Sequence, residues 1–358
     1  MNPNNLTKLV SGNSSIIIGD GIINELENLF PLSNYSKVAV LTDSNVVKYW
    51  LPTLENILHN KIQPIIIPSG EIYKTISQTE FIWNEMFKKG LDRHSLLINI
   101  GGGVICDIGG FAASTFMRGI DFLQIPTSLL AQVDAGLGGK TGINFNSIKN
   151  GIGIFKQPIG ILIDTNTLST LPNREFIASF AEIIKHGIIQ DKNYFSTAIS
   201  KHPKDFSDSE LTDLIKGSVN IKLKVVEEDP LELGLRKILN FGHTIGHAIE
   251  SISLQTDNHL LHGEAIAIGI IAESKISQLI GNISEMDFIK IENSIINSGL
   301  PSKVNNISTD KILEIMHFDK KNINGNLLFS LITEIGKAKY DVTVPLNIIK
   351  ESIDYIRK

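Results

Sequence analysis

The sequence is poor in cysteine and in basic charge, and each shortage excludes a class of protein. Cys106 is the only cysteine in 358 residues, which excludes an intrachain disulfide framework and a thiolate-rich zinc site and favours a reducing compartment. The formal net charge of −5 leaves no basic surface signal, so nucleic acid is not an expected partner.

Long apolar runs are also missing. No stretch approaches the roughly 20 apolar residues that a membrane-spanning helix needs. Residues 1–15 lack the basic-then-apolar pattern of a signal peptide. With 42% hydrophobic and 20% charged residues, the composition is that of a soluble protein with a substantial core. We therefore expect a cytoplasmic enzyme or binding protein that makes no membrane contact.

Strand-like and helix-like segments alternate through the first half of the chain. Short apolar runs lie within residues 37–44, 63–71, 95–103 and 119–127, and amphipathic stretches separate them. This alternation is typical of a mostly parallel sheet covered by helices. Each run ends in small or polar residues, and ligands of open α/β sheets lie beyond those carboxyl ends. We therefore expect a cofactor at this edge.

Helical periodicity dominates after about residue 170. The break at Leu171-Pro172 precedes four helix-like segments, at 176–189, 210–229, 236–252 and 262–280, and residues 326–342 have the pattern of two short paired strands. This change of pattern predicts an α/β domain over residues 1–170 and a mainly α-helical domain over residues 171–358.

Two glycine-rich segments are similar to nucleotide-binding loops but complete neither motif. In INIGGGVICDIGG, residues 98–110, Cys106 occupies the third glycine position of the dinucleotide fingerprint. The segment is therefore either a phosphate site at a helix start or a structural turn. In GLGGKTG, residues 136–142, Asp134 stands where a P-loop has its first glycine, which argues against a nucleoside triphosphatase. Three nearby residues suit an anionic substrate: Lys140, Lys149 and Asn150.

Histidines four residues apart suggest a metal site in NFGHTIGHAIE, residues 240–250. His243 and His247 would share one face of a helix. The zinc-peptidase motif has glutamate after its first histidine, but Thr244 occupies that position here, so a peptidase is not expected.

A carboxylate and a third histidine extend this candidate site. Glu182 lies in the apolar segment 176–189, where an unpaired carboxylate is costly, so it requires Lys185 or a metal as partner. His262 opens the apolar stretch HGEAIAIG. One glutamate with two or three histidines suits catalytic zinc, but hydrogen-bonded core histidines have the same spacing, and the pattern leaves both open. The local pattern gives three other histidines little beyond this core interpretation: His186, His259 and His317.

Seven motifs occur in order and together resemble the 3-dehydroquinate synthase family of sugar-phosphate cyclases. They are SGEIYK, GGGVICDIGGFAAS, QVD…GGKTGIN, KNGIG.F.QP, AEIIKHGII, LNFGHTIGHAIE and HGEAIAIG. The resemblance covers roughly residues 37–335. It implies an α/β, Rossmann-like N-terminal domain that binds NAD and a mainly α-helical C-terminal domain that binds a divalent metal, with zinc favoured and cobalt as the alternative. It also implies a homodimer in which Arg118 reaches the partner's site.

The resemblance implies roles for individual residues. Glu182, His243 and His262 would bind the metal, with His259 as a rival to His262. The glycines at 242 and 246 would let backbone and substrate pack closely. The cofactor-binding positions would be Asp43, Ser69, Gly70, Glu71, Ile72, Tyr73, Lys74, Gly103, Val104, Ile105, Cys106, Asp107, Thr127, Ser128, Lys140, Lys149, Thr167, Leu168, Ser169 and Thr170. The catalytic and substrate positions would be Asp134, Lys140, Asn150, Lys185, Lys222, Arg236, Asn240 and His247, with Lys320 or Lys321 adding to the phosphate clamp.

The activity implied is conversion of 3-deoxy-D-arabino-heptulosonate 7-phosphate to 3-dehydroquinate and phosphate, by transient oxidation with NAD, phosphate elimination, re-reduction and aldol closure. The alternatives are a cyclase acting on sedoheptulose 7-phosphate or glucose 6-phosphate, an NAD-dependent polyol dehydrogenase, and a catalytically silent binding protein. Retention of Lys222, Arg236 and Asn240 favours a substrate with a carboxylate. The sequence departs from the family pattern at Cys106, which replaces a frequent glycine, and the link between His243 and His262 is slightly long.

Overall fold

The computed structural model describes residues 6–59, 62–146, 148–254, 256, 259–317 and 327–357, except the side chain of His317. The chain divides into two compact units, Met1–Pro172 and Asn173–Lys358. Among the described residues, no helix is both long and apolar enough to cross a membrane.

The described residues of the first unit form nine strands. They are β1 (Thr7–Ser11), β2 (Ser14–Gly19), β3 (Val38–Asp43), β4 (Ile62–Ile67), β5 (Leu96–Gly101), β6 (Asp121–Pro126), β7 (Lys140–Phe145), β8 (Ile148–Phe155) and β9 (Gly160–Asp164). Seven of them form one sheet in the order β1-β2-β9-β6-β5-β3-β4. Its neighbours pair in parallel except in the β1–β2 hairpin. The predicted mostly parallel sheet is confirmed, although β1, β2 and β9 were not predicted.

Helices cover both faces of this sheet, and this is why its central strands are continuously apolar. The helices are α1 (Leu26–Leu29), α2 (Val47–Ile57), α3 (Ile76–Lys88) and α4 (Gly103–Thr115). Every residue of β5 is buried. Ile98 packs in a cluster with Trp50 of α2, whereas Leu97 packs on the other face with Ile82 of α3 and Ile108 of α4.

The register of β3 to β6 brings their carboxyl ends to one edge. Asp43 pairs with Ile67 across β3 and β4, and Gly101 pairs with Pro126 across β5 and β6. The segments that follow these strands therefore begin side by side, as the sequence predicts.

The remaining strands, β7 and β8, form a separate antiparallel hairpin. Gly142 and Gly153 face each other in it, and a Cβ on Gly153 would lie 2.4 Å from the carbonyl oxygen of Thr141. This hairpin was not predicted: Lys149 and Asn150 belong to β8, and Lys140 is the first residue of β7. Alternating glycines weaken the apolar periodicity by which a strand is recognised.

The second unit is mainly helical. Its helices are α5 (Asn173–Gln190), α6 (Lys192–Ala198), α7 (Asp208–Glu228), α8 (His243–Ser253), α9 (His262–Leu279), α10 (Glu285–Asn297), α11 (Thr309–His317) and α12 (Leu346–Tyr355). Helix α9 is buried around nearly its whole circumference, with α5, α8, α10 and α12 packed against it. The predicted strand pair is confirmed as β10 (Leu328–Glu334) and β11 (Lys337–Thr343), which pair antiparallel.

The prediction of one helix over residues 236–252 was wrong. A 3₁₀ helix, Leu235–Asn240, ends before Phe241, and α8 begins only at His243. Gly242 separates the two with a φ of 81°, in the left-handed region where a side chain is strained. His243 is therefore the first residue of its helix rather than a residue of its middle.

Candidate active site

A polar network lies beside the carboxyl ends of the strands in the first unit. Lys74 is buried and forms an ion pair with Asp107 and a hydrogen bond to the side-chain oxygen of Asn150. A buried ammonium group needs such partners because desolvation penalises its charge. Asn150 has a φ of 50°, a strained conformation that often occurs at functional sites.

Asn144, which was not predicted, extends this network. Its Oδ1 accepts a hydrogen bond from the backbone N–H of Asn150 at 2.9 Å, and its Nδ2 donates to Glu71 Oε1 at 2.9 Å. Lys149 Nζ lies 4.0 Å from the same Glu71 oxygen. The only sequence signal for Asn144 was a polar residue inside the KTGIN motif.

The glycine segment leads directly from β5 into α4. A Cβ on Gly103 would lie 3.1 Å from Ala135 Cβ, and Gly102 has no side chain with which to cap the helix. The first N–H groups of α4, which include that of Val104, therefore have the arrangement of a phosphate-binding helix start. This geometry favours the ligand-binding interpretation of the segment.

Not every predicted cofactor position presents a side chain. Ile105 and Cys106 are buried, so they can contact a ligand only through their backbone. Burial, assisted by the charge of Asp107, raises the pKa of the Cys106 thiol, which keeps it protonated and unreactive. Thr167 and Leu168 are also buried, and the Thr167 hydroxyl donates to the Asp164 carbonyl oxygen at 2.7 Å.

Other predicted positions lie in turns and helix starts of the first unit. Asp43 Oδ1 accepts from the backbone N–H of Asn45 at 2.8 Å and so orders the start of α2. The Ser69 N–H donates to Ser44 Oγ at 3.2 Å. The Thr170 hydroxyl accepts from the Trp50 indole at 3.1 Å. Gly70 has a φ of 118°. The remaining predicted positions differ in exposure: Ile72, Tyr73, Arg118, Lys140 and Ser169 are exposed, Ser128 and Asp134 are partly buried, and Thr127 is buried.

The second unit brings the three predicted metal ligands together. Glu182 is fully buried in α5, and its Oε1 lies 3.6 Å from Nε2 of His243 and 3.7 Å from Nε2 of His262. Zinc bonds of about 2.0–2.2 Å in a tetrahedron separate the ligand atoms by about 3.4 Å. Both separations from Glu182 therefore suit ligands of a single divalent metal, whose set substrate or water would complete.

Hydrogen bonds at the second ring nitrogens leave both Nε2 atoms facing Glu182. His243 Nδ1 lies 3.1 Å from the carbonyl oxygen of Phe241, and His262 Nδ1 lies 3.3 Å from Glu250 Oε2. Metal-binding histidines are usually oriented in this way. Burial lowers the pKa of His262, but hydrogen bonds to Glu182 and Glu250 outweigh burial and raise that pKa to about 9. A metal ion that binds this ring would have to displace that proton.

His247 lies against the two other histidine rings. Its ring centroid is 5.0 Å from that of His243 and 5.7 Å from that of His262. Their ligand atoms lie within 4.8 Å of one another, which makes the three histidines an alternative metal-binding set in the described part of the chain. His259 is exposed and belongs to no such set, and its carbonyl oxygen accepts from Arg174 at 2.9 Å.

The close approach that the two glycines allow is to α9. A Cβ on Gly246 would lie 3.1 Å from the carbonyl oxygen of Ala265, and one on Gly242 would lie 2.7 Å from Ile270 Cγ1. The close backbone packing expected at these glycines is therefore between helices: they allow α8 to cross α9, and this crossing brings the two histidine-bearing helix starts together. Their contact with substrate stays a prediction.

Buried cations lie on α5, α7 and the 3₁₀ helix. Lys185 is buried and forms an ion pair with Glu182. Lys222 and Arg236 are also buried, and the Arg236 guanidinium donates to the Pro230 carbonyl oxygen at 2.7 Å. Asn240 Nδ2 donates to Glu232 Oε1 at 2.9 Å.

Asp229 orders the loop that carries Arg236, and it was not predicted. Its carboxylate accepts from the backbone N–H groups of Leu233 at 2.9 Å, Gly234 at 2.7 Å and Arg236 at 3.0 Å. Burial acts to raise the pKa of Asp229, but these hydrogen bonds outweigh it and lower the pKa.

His186 and the two lysines proposed for the phosphate clamp remain to be placed. His186 is buried with its Nδ1 2.6 Å from Ser218 Oγ, the hydrogen-bonded core arrangement expected of it. Lys320 and Lys321, proposed for the phosphate clamp, lie outside the described residues.

Comparisons with known proteins give the family of the chain. The model of the 3-dehydroquinate synthase N-terminal domain matches residues 64–178, and the model of the C-terminal domain matches residues 179–322. The chain belongs to the 3-dehydroquinate synthase family. It is 40% identical to the 3-dehydroquinate synthase of Nitrosospira multiformis over 94% of this chain and 93% of that protein. It is 42% identical to that of Pyrococcus abyssi over 94% of this chain and 98% of that protein.

Solved structures confirm the predicted fold class for this family member. A 2-deoxy-scyllo-inosose synthase, crystallised with carbaglucose-6-phosphate, NAD⁺ and Co²⁺, has a TM-score of 0.87 at 26% identity and covers 97% of this chain and 99% of its own. A 2-epi-5-epi-valiolone synthase from Streptomyces hygroscopicus has a TM-score of 0.87 at 23% identity, covering 98% of both chains. At that identity the second likeness concerns the fold alone.

Proposed function

We propose that this chain is a 3-dehydroquinate synthase that forms 3-dehydroquinate and phosphate from 3-deoxy-D-arabino-heptulosonate 7-phosphate, in the shikimate pathway that leads to aromatic amino acids. The observation that carries the proposal is the pair of family matches over residues 64–322, together with relatives about 40% identical along nearly the whole chain. The reaction class is that of a phosphorus–oxygen lyase without net change in NAD.

Glu182, His243 and His262 are the proposed metal ligands. A buried carboxylate and two imidazoles whose Nε2 atoms face it form a site for zinc or cobalt. A divalent ion held there supplies Lewis-acid polarisation of substrate oxygens. Lys185 forms an ion pair with Glu182 and so balances the charge of the carboxylate.

The edge of the parallel sheet is the proposed NAD site. The start of α4 offers backbone N–H groups to the diphosphate, and the Lys74–Asp107 pair fixes polar groups beside it. NAD supplies a hydride acceptor and donor, while the protein provides orientation. Asp43, Glu71, Lys149, Thr127 and Ser128 would complete the binding edge.

Lys222, Arg236 and Asn240 are the proposed carboxylate-binding residues. A guanidinium can hold a carboxylate through two parallel hydrogen bonds, and the cations are buried, where such pairs are strongest. Asp229 and the contacts of the 3₁₀ helix hold Arg236 in place. Buried cations suit a substrate that carries a carboxylate, and this favours the heptulosonate over sedoheptulose 7-phosphate.

His247, Asp134, Lys140 and Asn150 are proposed to act on the rest of the substrate. His247 would bind the phosphate and move a proton, since its ring lies among those of the two other histidines. Holding the phosphate close to the acidic C–H lets the substrate supply its own base, an effect of proximity.

The proposal extends to the assembly and its location. We place the enzyme in the cytoplasm as a homodimer in which Arg118 reaches the partner's site. Two features support this role for Arg118: its side chain is exposed, and its φ of 72° fixes it in a tight corner after α4.

Phosphate release tests the function directly. The purified protein is given NAD and either the 3-deoxyheptulosonate 7-phosphate or sedoheptulose 7-phosphate, with and without a metal chelator, while absorbance reports NADH. We expect chelator-sensitive release from the first substrate only, without accumulating NADH. Release from sedoheptulose 7-phosphate instead would overturn the carboxylate assignment, and net NADH formation would indicate a dehydrogenase.

A further inference from the structure

Both proposed histidine ligands occupy the first residue of a helix. His243 begins α8 and His262 begins α9. The first N–H groups of a helix lack partners within the helix, and helix ends fray unless they are capped. Neither Gly242 nor Leu261, the residues that precede the two helices, has a polar side chain for this purpose. Other groups must therefore hold the ligands at these two helix starts.

Glu273 of α9 holds the start of α8. This fully buried carboxylate accepts from the backbone N–H of Gly242 at 2.7 Å through Oε2 and from that of Ile245 at 3.1 Å through Oε1. These two N–H groups flank His243. The carboxylate thus does for α8 what a capping side chain does for an ordinary helix, with a full negative charge at the positive end of the helix dipole.

Glu250 of α8 holds the ligand at the start of α9. It is buried, and its Oε2 lies 3.3 Å from Nδ1 of His262, opposite the Nε2 that faces Glu182. A carboxylate at this nitrogen selects the tautomer that leaves Nε2 able to bind a metal and increases the basicity of the ring.

The two contacts are possible together because α8 and α9 cross closely at glycines. A Cβ on Gly269 would lie 1.9 Å from the carbonyl oxygen of Gly242, so α8 and α9 are in backbone contact one turn from Glu273. Each helix therefore supplies a buried carboxylate to the ligand-bearing end of the other. Burial of two carboxylates at one helix crossing is costly, and apolar packing alone does not require it.

We propose that Glu250 and Glu273 are a reciprocal pair of positioning residues, each fixing the metal-binding histidine at the start of the other's helix. The inference deepens the proposed function and rests on it, because it takes His243 and His262 as metal ligands. Neither glutamate is assigned to the metal itself.

Different substitutions at Glu250 and Glu273 separate the effect of losing a hydrogen-bond acceptor from the effect of losing the carboxylate charge. Glu273→Gln replaces one acceptor with an NH₂ group, which then faces a backbone N–H donor, so the start of α8 loses one hydrogen bond and gains a repulsion. Glu250→Gln keeps an acceptor for His262 Nδ1, whereas Glu250→Leu removes it. We expect metal affinity to fall about 10- to 100-fold in Glu273→Gln and Glu250→Leu, as for other outer-shell partners, and less in Glu250→Gln.

Glu292→Gln is the matched control. Glu292 lies on α10, which packs against α9, and accepts from the Tyr355 hydroxyl at 2.8 Å. Among its described hydrogen bonds it contacts neither histidine ring and neither of the two helix starts. We expect an unchanged metal affinity from this variant.

The measurement uses Co²⁺ and Zn²⁺ without turnover. Metal-free full-length protein is titrated with Co²⁺, whose visible absorption reports the ligand geometry, and Zn²⁺ affinity is obtained by competition with a chelator. Circular dichroism verifies the fold of each variant. We expect weaker binding and an altered Co²⁺ spectrum in Glu273→Gln and Glu250→Leu but not in Glu292→Gln.

Two failures are distinguishable. The metal site of the proposed function is wrong if the wild-type protein binds no Co²⁺. It is also wrong if His243→Ala binds Co²⁺ as the wild type does. If the wild type binds Co²⁺ and the folded Glu250 and Glu273 variants bind it with the same affinity and spectrum, the positioning role is wrong. Should Glu273→Gln not fold, Glu273→Asp replaces it, and wild-type affinity in that variant would equally overturn the role of Glu273.

Discussion

At the scale of single residues, the proposed metal site depends most on the carboxylate of Glu182. Its Oε1 is the atom that both histidine Nε2 atoms face, at 3.6 and 3.7 Å. Glu182→Gln keeps the shape but removes the charge, so we expect metal affinity to fall more than about 100-fold, beyond the usual effect of an outer-shell partner. Turnover should be lost with the metal. Elemental analysis after dialysis, with phosphate release on the same sample, measures both.

Glu175→Gln controls for the loss of a carboxylate on the same helix, because Glu175 is exposed in the first turn of α5. It should retain metal and activity. An active Glu182→Gln enzyme with a full complement of metal would remove Glu182 from the ligand set.

Lys222 provides a second test at this scale. Its ammonium group is buried on α7 and is proposed to bind the substrate carboxylate. Loss of a charged hydrogen bond costs about 1.5–3 kcal/mol, which corresponds to about a 10- to 100-fold rise in KM for Lys222→Ala. Lys224→Ala, an exposed position on the same helix, should have a normal KM. Steady-state phosphate release compares them, and equal KM values would exclude the carboxylate contact.

The sequence predicts those residues whose chemistry shows in the local pattern. Glu182 stands out as a carboxylate in an apolar helix, and His243 and His247 by their spacing. Glu273 could not be found in this way, because it acts on backbone N–H groups some 30 residues away, and no local pattern carries that contact. Asp229 is another such case, since its partners are also backbone groups.

At the scale of elements, the crossing of α8 and α9 sets the distance between His243 and His262. Gly269→Ala would place a methyl group 1.9 Å from the Gly242 carbonyl oxygen, a backbone atom that cannot move without shifting α8. We expect a loss of about 1–3 kcal/mol in the free energy of unfolding, typical of overpacking, together with weaker metal binding. Urea denaturation in the presence of a chelator measures the first effect, and Co²⁺ titration measures the second.

Ser274→Ala is the control for this helix, because it removes an atom from a buried position of α9 rather than adding one. Normal stability and normal metal affinity in Gly269→Ala would mean that the crossing tolerates separation and does not set the histidine geometry.

Element prediction succeeded where burial gives a distinct pattern. Strands β3 to β6 are short apolar runs because helices cover both faces of the sheet. The break at Gly242 was missed because a 3₁₀ helix and the α-helix after it have similar periodicity. Only the left-handed φ and the contact with Glu273 distinguish two elements from one.

At the scale of the whole molecule, the proposal places metal and NAD in different compact units, Asn173–Lys358 and Met1–Pro172. A ligand that binds only the folded state stabilises it by about 2.7 kcal/mol at 100 times its Kd. In scanning calorimetry, Zn²⁺ and NAD should therefore each raise the unfolding temperature. A substitution in one site should remove the shift caused by its own ligand and leave the other shift in place. Glu182→Gln should lose the Zn²⁺ effect and keep the NAD effect.

Asp107→Asn should show the opposite behaviour. It leaves the buried Lys74 without its ionised partner, so the unliganded protein should itself unfold at a lower temperature. For this reason each variant is compared with its own unliganded transition. We expect a reduced shift with NAD and a normal shift with Zn²⁺. Loss of both shifts in either variant, with the fold intact, would mean that the two ligands do not bind independently and would contradict the assignment of one ligand to each unit.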